Sequence, residues 1–329
     1  MTAFGYHCSH EQIAPSRLLR HVSRAAEAGF DAAMCSDHLA PWGVAQGESG
    51  YAFSWLGAAL AAAPLSFGVV TAPGQRTHPV TTAQAIATLG EMYPGRFWAA
   101  LGSGEALNEH ITGDPWPPKD VRERRLRECV DIIRALLAGE EVTHHGAPEN
   151  GGVRVDRARV WSLPAEPPPL IAAAVSPDSA AAHAEWADGL VTVGCDPRGV
   201  GEVIAAYREA GGRGPVRLQV HLALADDDAA ALAMARHHWP NGAVPSPDSW
   251  DIATPEEFDR RAASVSDDEL RTAMIVSGDA AVHRDRIAEL ADVGFDAVML
   301  HQVGATAEQQ DLFIDVFGER VLPELRSAG

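Results

Sequence analysis

The 329-residue chain predicts an α/β fold, a (β/α)8 TIM barrel with insertions that forms one unit over residues 1–329. Three observations predict it. Short apolar runs alternate with amphipathic helical patterns almost from end to end, as βα units in a parallel sheet require. The helix–Gly–Phe–Asp–strand unit Arg24–Met34 recurs near the other end as Ala288–Met299. No Gly-x-Gly-x-x-Gly turn follows the first strand, which favours a closed barrel over an open dinucleotide-binding sheet.

Ala3–Cys8 reads as the first strand, and Pro15–Gly29 as a helix with Leu18, Leu19, Val22, Ala25 and Ala26 on one face. Asp31–Asp37 is the second strand, Ser54–Ala63 a helix, Ser66–Thr71 the third strand and Val80–Met92 a helix. Phe97–Gly102 is the fourth strand, and the periodic helix Val121–Ala138 stops at Gly139. The rhythm then breaks. Glu141–His145 and Val153–Trp161 read as short strands around Gly146–Gly152, a hairpin insertion within 140–165. Alternation resumes with strands Leu170–Val175, Gly189–Val193 and Val216–Ala225, separated by helices Asp178–Trp186 and Val200–Ala210. Asp226–Asp228 open a helix through His238, acids suited to its positive end. Pro240–Ser266 is irregular in composition and predicts an insertion, within 240–273, near the active-site face. Helix His283–Val293, strand Asp296–His301 and helix Ala307–Leu325 complete the chain.

Composition narrows the function. The apolar share of 46% supports a large core, and no run reaches the roughly 18 apolar residues of a membrane helix. No basic region followed by an apolar stretch opens the chain, so a cytoplasmic location is expected. The net charge of −19, with Lys119 the only lysine, argues against a nucleic-acid partner. Cys8, Cys35, Cys129 and Cys195 show neither paired nor metal-type spacing.

In such barrels chemistry sits at the carboxyl ends of the strands. The second strand ends in Ser36-Asp37-His38, an acid beside a base, and His38 is the first candidate for proton transfer. The fourth strand runs into Ser103-Gly104-Glu105-Ala106-Leu107-Asn108, where Glu105 can pair with His38 and Ser103, Gly104 and Asn108 can hold a planar polar ligand. Thr71 ends the third strand, and Trp42 can shield the site from water. Each has a bland alternative: a strand-end cap for His38, a helix-start carboxylate for Glu105, a core aromatic for Trp42, a finishing β-residue for Thr71. His7, His10, His221 and His301 also fall near strand ends, but no His pair has ligand spacing on one strand face, so no metal is expected.

Ser36-Asp37-His38, Pro41-Trp42, Ser54-Trp55, Thr71 and above all Gly102-Ser103-Gly104-Glu105-Ala106-Leu107-Asn108-Glu109 resemble the luciferase-like monooxygenase class of flavin oxidoreductases. Tyr6–Gln12, Thr71–Arg76, Glu105–Gly113 and Leu300–Gly304 look most like its probable FMN-dependent, non-deazaflavin subgroup, sister to the deazaflavin-dependent glucose-6-phosphate dehydrogenases. The resemblance implies an isoalloxazine-like ring at the barrel mouth, FMN first and coenzyme F420 as the alternative. It implies coenzyme contacts from Asp37, Thr71, Ser103, Gly104 and Asn108, and from Ala174, Val175, Ser179 and Ala180 around the coenzyme tail. It further implies catalysis by His38, Glu105 and Trp42, a homodimer, and a flavin reductase or other electron donor as partner. Asp196 stands near the position of a lysine in the sugar-phosphate enzymes, so a small non-phosphorylated substrate is expected. The expected function is hydride transfer between coenzyme and substrate. A non-catalytic ligand- or protein-binding barrel and a metal-dependent hydrolase are the alternatives.

Overall fold

The computed structural model describes residues 2–147, 152–245 and 248–327, so 148–151 of the expected hairpin turn and 246–247 of the expected insertion lie outside the described residues. The strands are β1 (Ala3–Cys8), β2 (Ala32–Ser36), β3 (Ser66–Thr71), β4 (Phe97–Leu101), β5 (Val142–His145), β6 (Arg154–Ala158), β7 (Leu170–Ala173), β8 (Leu190–Val193), β9 (Val216–Leu224), β10 (Ile275–Ser277) and β11 (Ala297–Gln302). Eight of them run parallel in the order β1-β2-β3-β4-β7-β8-β9-β11, and β11 pairs back onto β1, closing the barrel. β5 and β6 form a separate antiparallel hairpin.

Three differences from the sequence expectation have local causes. β10 is an extra strand that takes the edge of β9 at Leu222–Leu224, above the stretch Val216–Gln219 that pairs with β8. Three residues are too few to show a period. The insertion expected within 240–273 holds helices Pro255–Ala262, inside the stretch expected to be irregular, and Asp267–Ala273 just after it, capped by Thr254 and by a Ser266–Glu269 capping box. Those cap residues were legible, but the helices span only about two turns each. The closing helix ends at Val316 and continues through a π-type turn, Phe317–Val321, into Leu322–Ser327. Gly318 sits there, where a Cβ would come within 2.9 Å of Ala28.

Side chains alternate across every barrel strand. Outward ones such as Tyr6, Ala33, Val69, Leu218 and Val298 pack with the helices into the main core. Inward ones form their own cluster of Ala32, Met34, Trp98, Ala100, Ile171, Val191, Ala297 and Met299. Trp98 is its largest member. A Cβ on Gly68 would lie 2.0 Å from the Trp98 ring, so only glycine leaves space for it. The Arg217 guanidinium covers the ring at 4.5 Å from its centroid. The barrel interior is thus plugged, and polar inward positions collect above the plug at the carboxyl ends.

Candidate active site

His38 leaves the end of β2 immediately after Asp37, whose N–H still bonds Val70 O of β3 at 2.8 Å. The histidine ring is buried between two carboxylates: Nδ1 lies 3.4 Å from Glu11 Oε1, and Nε2 lies 3.4 Å from Glu105 Oε1. Burial would lower its pKa, but Glu105 and Glu11 outweigh that effect and raise it to about 9. His38 is therefore an imidazolium at neutral pH. Glu105 Oε2 is buried without a partner, leaving one acceptor atom beside the ring. The Trp42 ring packs 4.9 Å from His38 and meets Phe258 of the helix Pro255–Ala262 edge-on at 5.2 Å.

Asp37 is held from two sides. Thr71 Oγ1 donates to Asp37 Oδ2 at 2.9 Å, and Arg76 Nη2 donates to the same oxygen at 3.0 Å and to Asp37 O at 2.7 Å. Arg76 also meets Glu109, whose Oε2 accepts the Arg76 N–H at 2.6 Å. Burial raises the Glu109 pKa, with Arg76 pulling it back. Asp37 Oδ1 remains buried and unpartnered. Asn108 Oδ1 accepts from Leu39 N at 2.7 Å and Ala40 N at 3.3 Å, fastening the loop that carries His38 to the segment after β4. Gly104 takes a left-handed φ of +84°, and a Cβ there would lie 3.1 Å from Glu109 Cγ. Ser103 Oγ donates to Glu123, which pairs with His183 at 3.1 Å.

The structure therefore brings His38, Glu105, Trp42, Asp37, Thr71, Ser103, Gly104 and Asn108 to one end of the barrel. The second group, after β7, is placed differently in part. Ala174 and Ala180 are buried in the main core, whereas Val175 is exposed. Ser179 N–H already bonds Ser176 Oγ at 3.3 Å, and Ala180 N–H bonds Ser176 O at 3.0 Å. Glu11 and Arg76 received no role from the sequence. The rule that pointed to Asp37-His38 points equally to His10-Glu11-Gln12 after β1 and to Arg76 after β3. Among the described residues no group of three or more His, Cys, Asp or Glu side chains is arranged to hold a metal ion. No helix among them is long and apolar enough to cross a membrane.

A closed (β/α)8 barrel with a buried carboxylate–imidazole–carboxylate array at its carboxyl-terminal mouth is an enzyme of the barrel class. The model of the luciferase-like monooxygenase family matches residues 2–297. The chain belongs to that family and is an oxidoreductase. It is 35% identical to an F420-dependent glucose-6-phosphate dehydrogenase of Microbacterium testaceum, over 98% of this chain and 97% of that protein. It is 34% identical to an F420-dependent hydroxymycolic acid dehydrogenase of Mycobacterium tuberculosis, over 97% of this chain and 87% of that protein. Among solved structures, an F420-dependent secondary alcohol dehydrogenase in complex with an F420–acetone adduct superposes with a TM-score of 0.89 at 29% identity, covering 99% of each chain. These names do not support FMN as the first choice of coenzyme. Nor do they support the expectation of a non-phosphorylated substrate, since one relative is named for glucose 6-phosphate.

Proposed function

We propose that this protein is an F420-dependent dehydrogenase that interconverts an alcohol and a carbonyl on a small organic substrate. The observation that carries this reading is His38 held between Glu11 and Glu105 at the mouth of a barrel whose relatives are named for F420. The residues fit a planar coenzyme. Asp37 Oδ1 is a buried acceptor awaiting a donor, and the Gly104 turn is closed to any side chain. Asp37, Thr71, Ser103, Gly104 and Asn108 would hold the ring, and the turn from Ala174 to Ala180, with Val175 and Ser179, would meet the coenzyme tail. When bound, F420 supplies two-electron hydride exchange.

The chain's own residues supply proton transfer and orientation. In the reducing direction the imidazolium of His38 gives its Nε2 proton to the carbonyl oxygen. In the oxidising direction the same step runs in reverse: neutral His38 Nε2 takes the proton of the substrate hydroxyl, and the Glu105 carboxylate 3.4 Å away stabilises the imidazolium that forms. Glu11 keeps the second ring nitrogen protonated. Trp42 excludes water from the His38 face and is steadied by Phe258. A homodimer belongs to the same reading, whereas a flavin reductase does not.

The test is a fluorescence titration of the purified protein with F420 and, separately, with FMN, followed by turnover with 2-propanol and glucose 6-phosphate. Micromolar or tighter binding of F420, lost in Asp37→Ala, supports the reading. Tight binding of FMN alone would replace it with flavin chemistry, and binding of neither would remove it.

A further inference from the structure

His7, His301 and His221 lie on three adjacent strands, β1, β11 and β9. The pairings Tyr6↔Leu300 and His301↔His221 put all three on one level. Each has the same parity as an inward residue below it: Gly5, Met299 and Arg217. They form a tier of imidazoles above the Trp98 plug. The rings pack at 4.8 Å (His7–His301) and 4.9 Å (His221–His301), and Trp239 covers His301 at 4.4 Å and His221 at 5.2 Å. None of this is used by the proton-transfer group, yet the tier is joined to it. Ser9 Oγ lies within hydrogen-bond distance of both Glu11 Oε2 (3.0 Å) and Gln12 Oε1 (2.9 Å).

The bonding fixes the protons. Gln12 Nε2 donates to Val303 O at 2.6 Å, so its carbonyl oxygen faces His301 Nε2 at 2.9 Å, and that nitrogen must carry a proton. Burial, with His7 and His221 adding to it, holds His301 neutral well below 6.5, leaving its Nδ1 bare. His221 Nδ1 approaches that bare nitrogen at 2.7 Å and must donate to it. Burial pushes the His221 pKa down to about 4, so this ring is neutral too, and its proton is spent on His301. The remaining His221 nitrogen, Nε2, is a lone pair with no partner among the described residues, on a ring that keeps partial exposure. His7 Nδ1 beside it is likewise unpartnered.

We propose that the histidine tier is the floor of the substrate pocket, and that His221 Nε2 accepts a hydrogen bond from a substrate hydroxyl other than the one oxidised. Resting on the dehydrogenase reading, this deepens it to a substrate class: organic molecules carrying a second O–H donor. Gln12 and His301 are positioning residues that hold the acceptor in its tautomer; a protonated Nε2 there would repel the same group.

The experiment is long-range 1H–15N spectroscopy of the full chain with 15N-labelled histidine, first without coenzyme and then with F420 and either 1,2-propanediol or 2-propanol. Expected are a proton on Nδ1 and a bare Nε2 for His221, and an upfield movement of that Nε2 signal with the diol but not with 2-propanol. A proton on His221 Nε2, or a signal that the diol leaves unmoved, overturns the proposal. Gln12→Leu should scramble the tautomer, and Gln12→Glu, which keeps an acceptor for His301, should preserve it. In turnover, His221→Phe should raise KM for the diol roughly tenfold more than it raises KM for 2-propanol, and an equal rise for both would overturn the proposal. Failure of F420 to bind would sink the dehydrogenase reading, while the tautomer pattern without coenzyme still decides whether the acceptor is locked.

Discussion

Replacing Glu105 by Gln keeps the shape of the side chain and removes one of the two charges that hold the proton on His38. The ring titrates at about 9 instead of 6.5, against the pull of burial, with Glu105 the larger and Glu11 the smaller charge contribution. That displacement corresponds to roughly 3 kcal/mol of preference for the imidazolium. With Glu105 gone, Glu11 alone does not outweigh burial, the largest single influence on the ring, and the His38 midpoint should fall below its ordinary 6.5. The limb of the pH–rate profile that reports His38 should move down with it. Carbonyl reduction, which needs the imidazolium, should then fail at lower pH than in the wild type. The direct assay is an NMR titration of the His38 ring in the free enzyme, alongside pH profiles of reduction and oxidation. A midpoint within a few tenths of the wild-type value would show that Glu105 does not set the charge state of His38. Glu11→Gln serves as the internal comparison and should give the smaller displacement.

Other perturbations give separate readouts. Because the folded-state pKa of His38 is raised, its contribution to stability is complete below pH 6.5 and is lost as pH rises through about 9. Denaturant unfolding should accordingly lose roughly 2 kcal/mol between pH 7 and pH 10, and Glu105→Gln should flatten that slope. Asp37→Asn leaves the buried Arg76 with Glu109 as its sole carboxylate partner and should cost about 3 kcal/mol in chemical denaturation, in addition to coenzyme affinity. Asn108→Ala strands the N–H groups of Leu39 and Ala40 and should cost roughly 1–2 kcal/mol, with weaker coenzyme binding because the His38 loop is loosened. Gly68→Ala drives a methyl into the Trp98 ring and should cost more than about 3 kcal/mol, read as a lowered Tm, while Trp98→Leu in the same chain should restore part of the loss.

The barrel was legible because its βα units carry their period openly, and because parallel strands fix which end is the mouth. Asp37-His38 and Ser103–Asn108 stood out since polar residues closing apolar runs cannot be core packing. Glu11 and Arg76 stood at equivalent strand ends and went without a role, because a lone acid or arginine there looks the same whether it faces solvent or a buried partner. What turns Glu11 into part of the site is its 3.4 Å approach to His38, a distance between β1 and β2 that spacing along the chain does not encode. The short helices of the insertion were hidden for the opposite reason. Their caps are local and readable, but their stability comes from packing, as Phe258 does against Trp42.

The Trp98 plug has a consequence for traffic. A barrel stoppered from within by Trp98 and Arg217 is a cup, and a cup has one rim. On the proposed function, coenzyme, substrate and product must all share that rim, beside which Trp42 packs on His38. If the tier of histidines is where one end of the substrate rests, whatever enters first lies deepest and leaves last. The order of arrival and departure in this enzyme is then set by the depth of the vessel rather than by relative affinities, and product release becomes a question of who stands nearest the door.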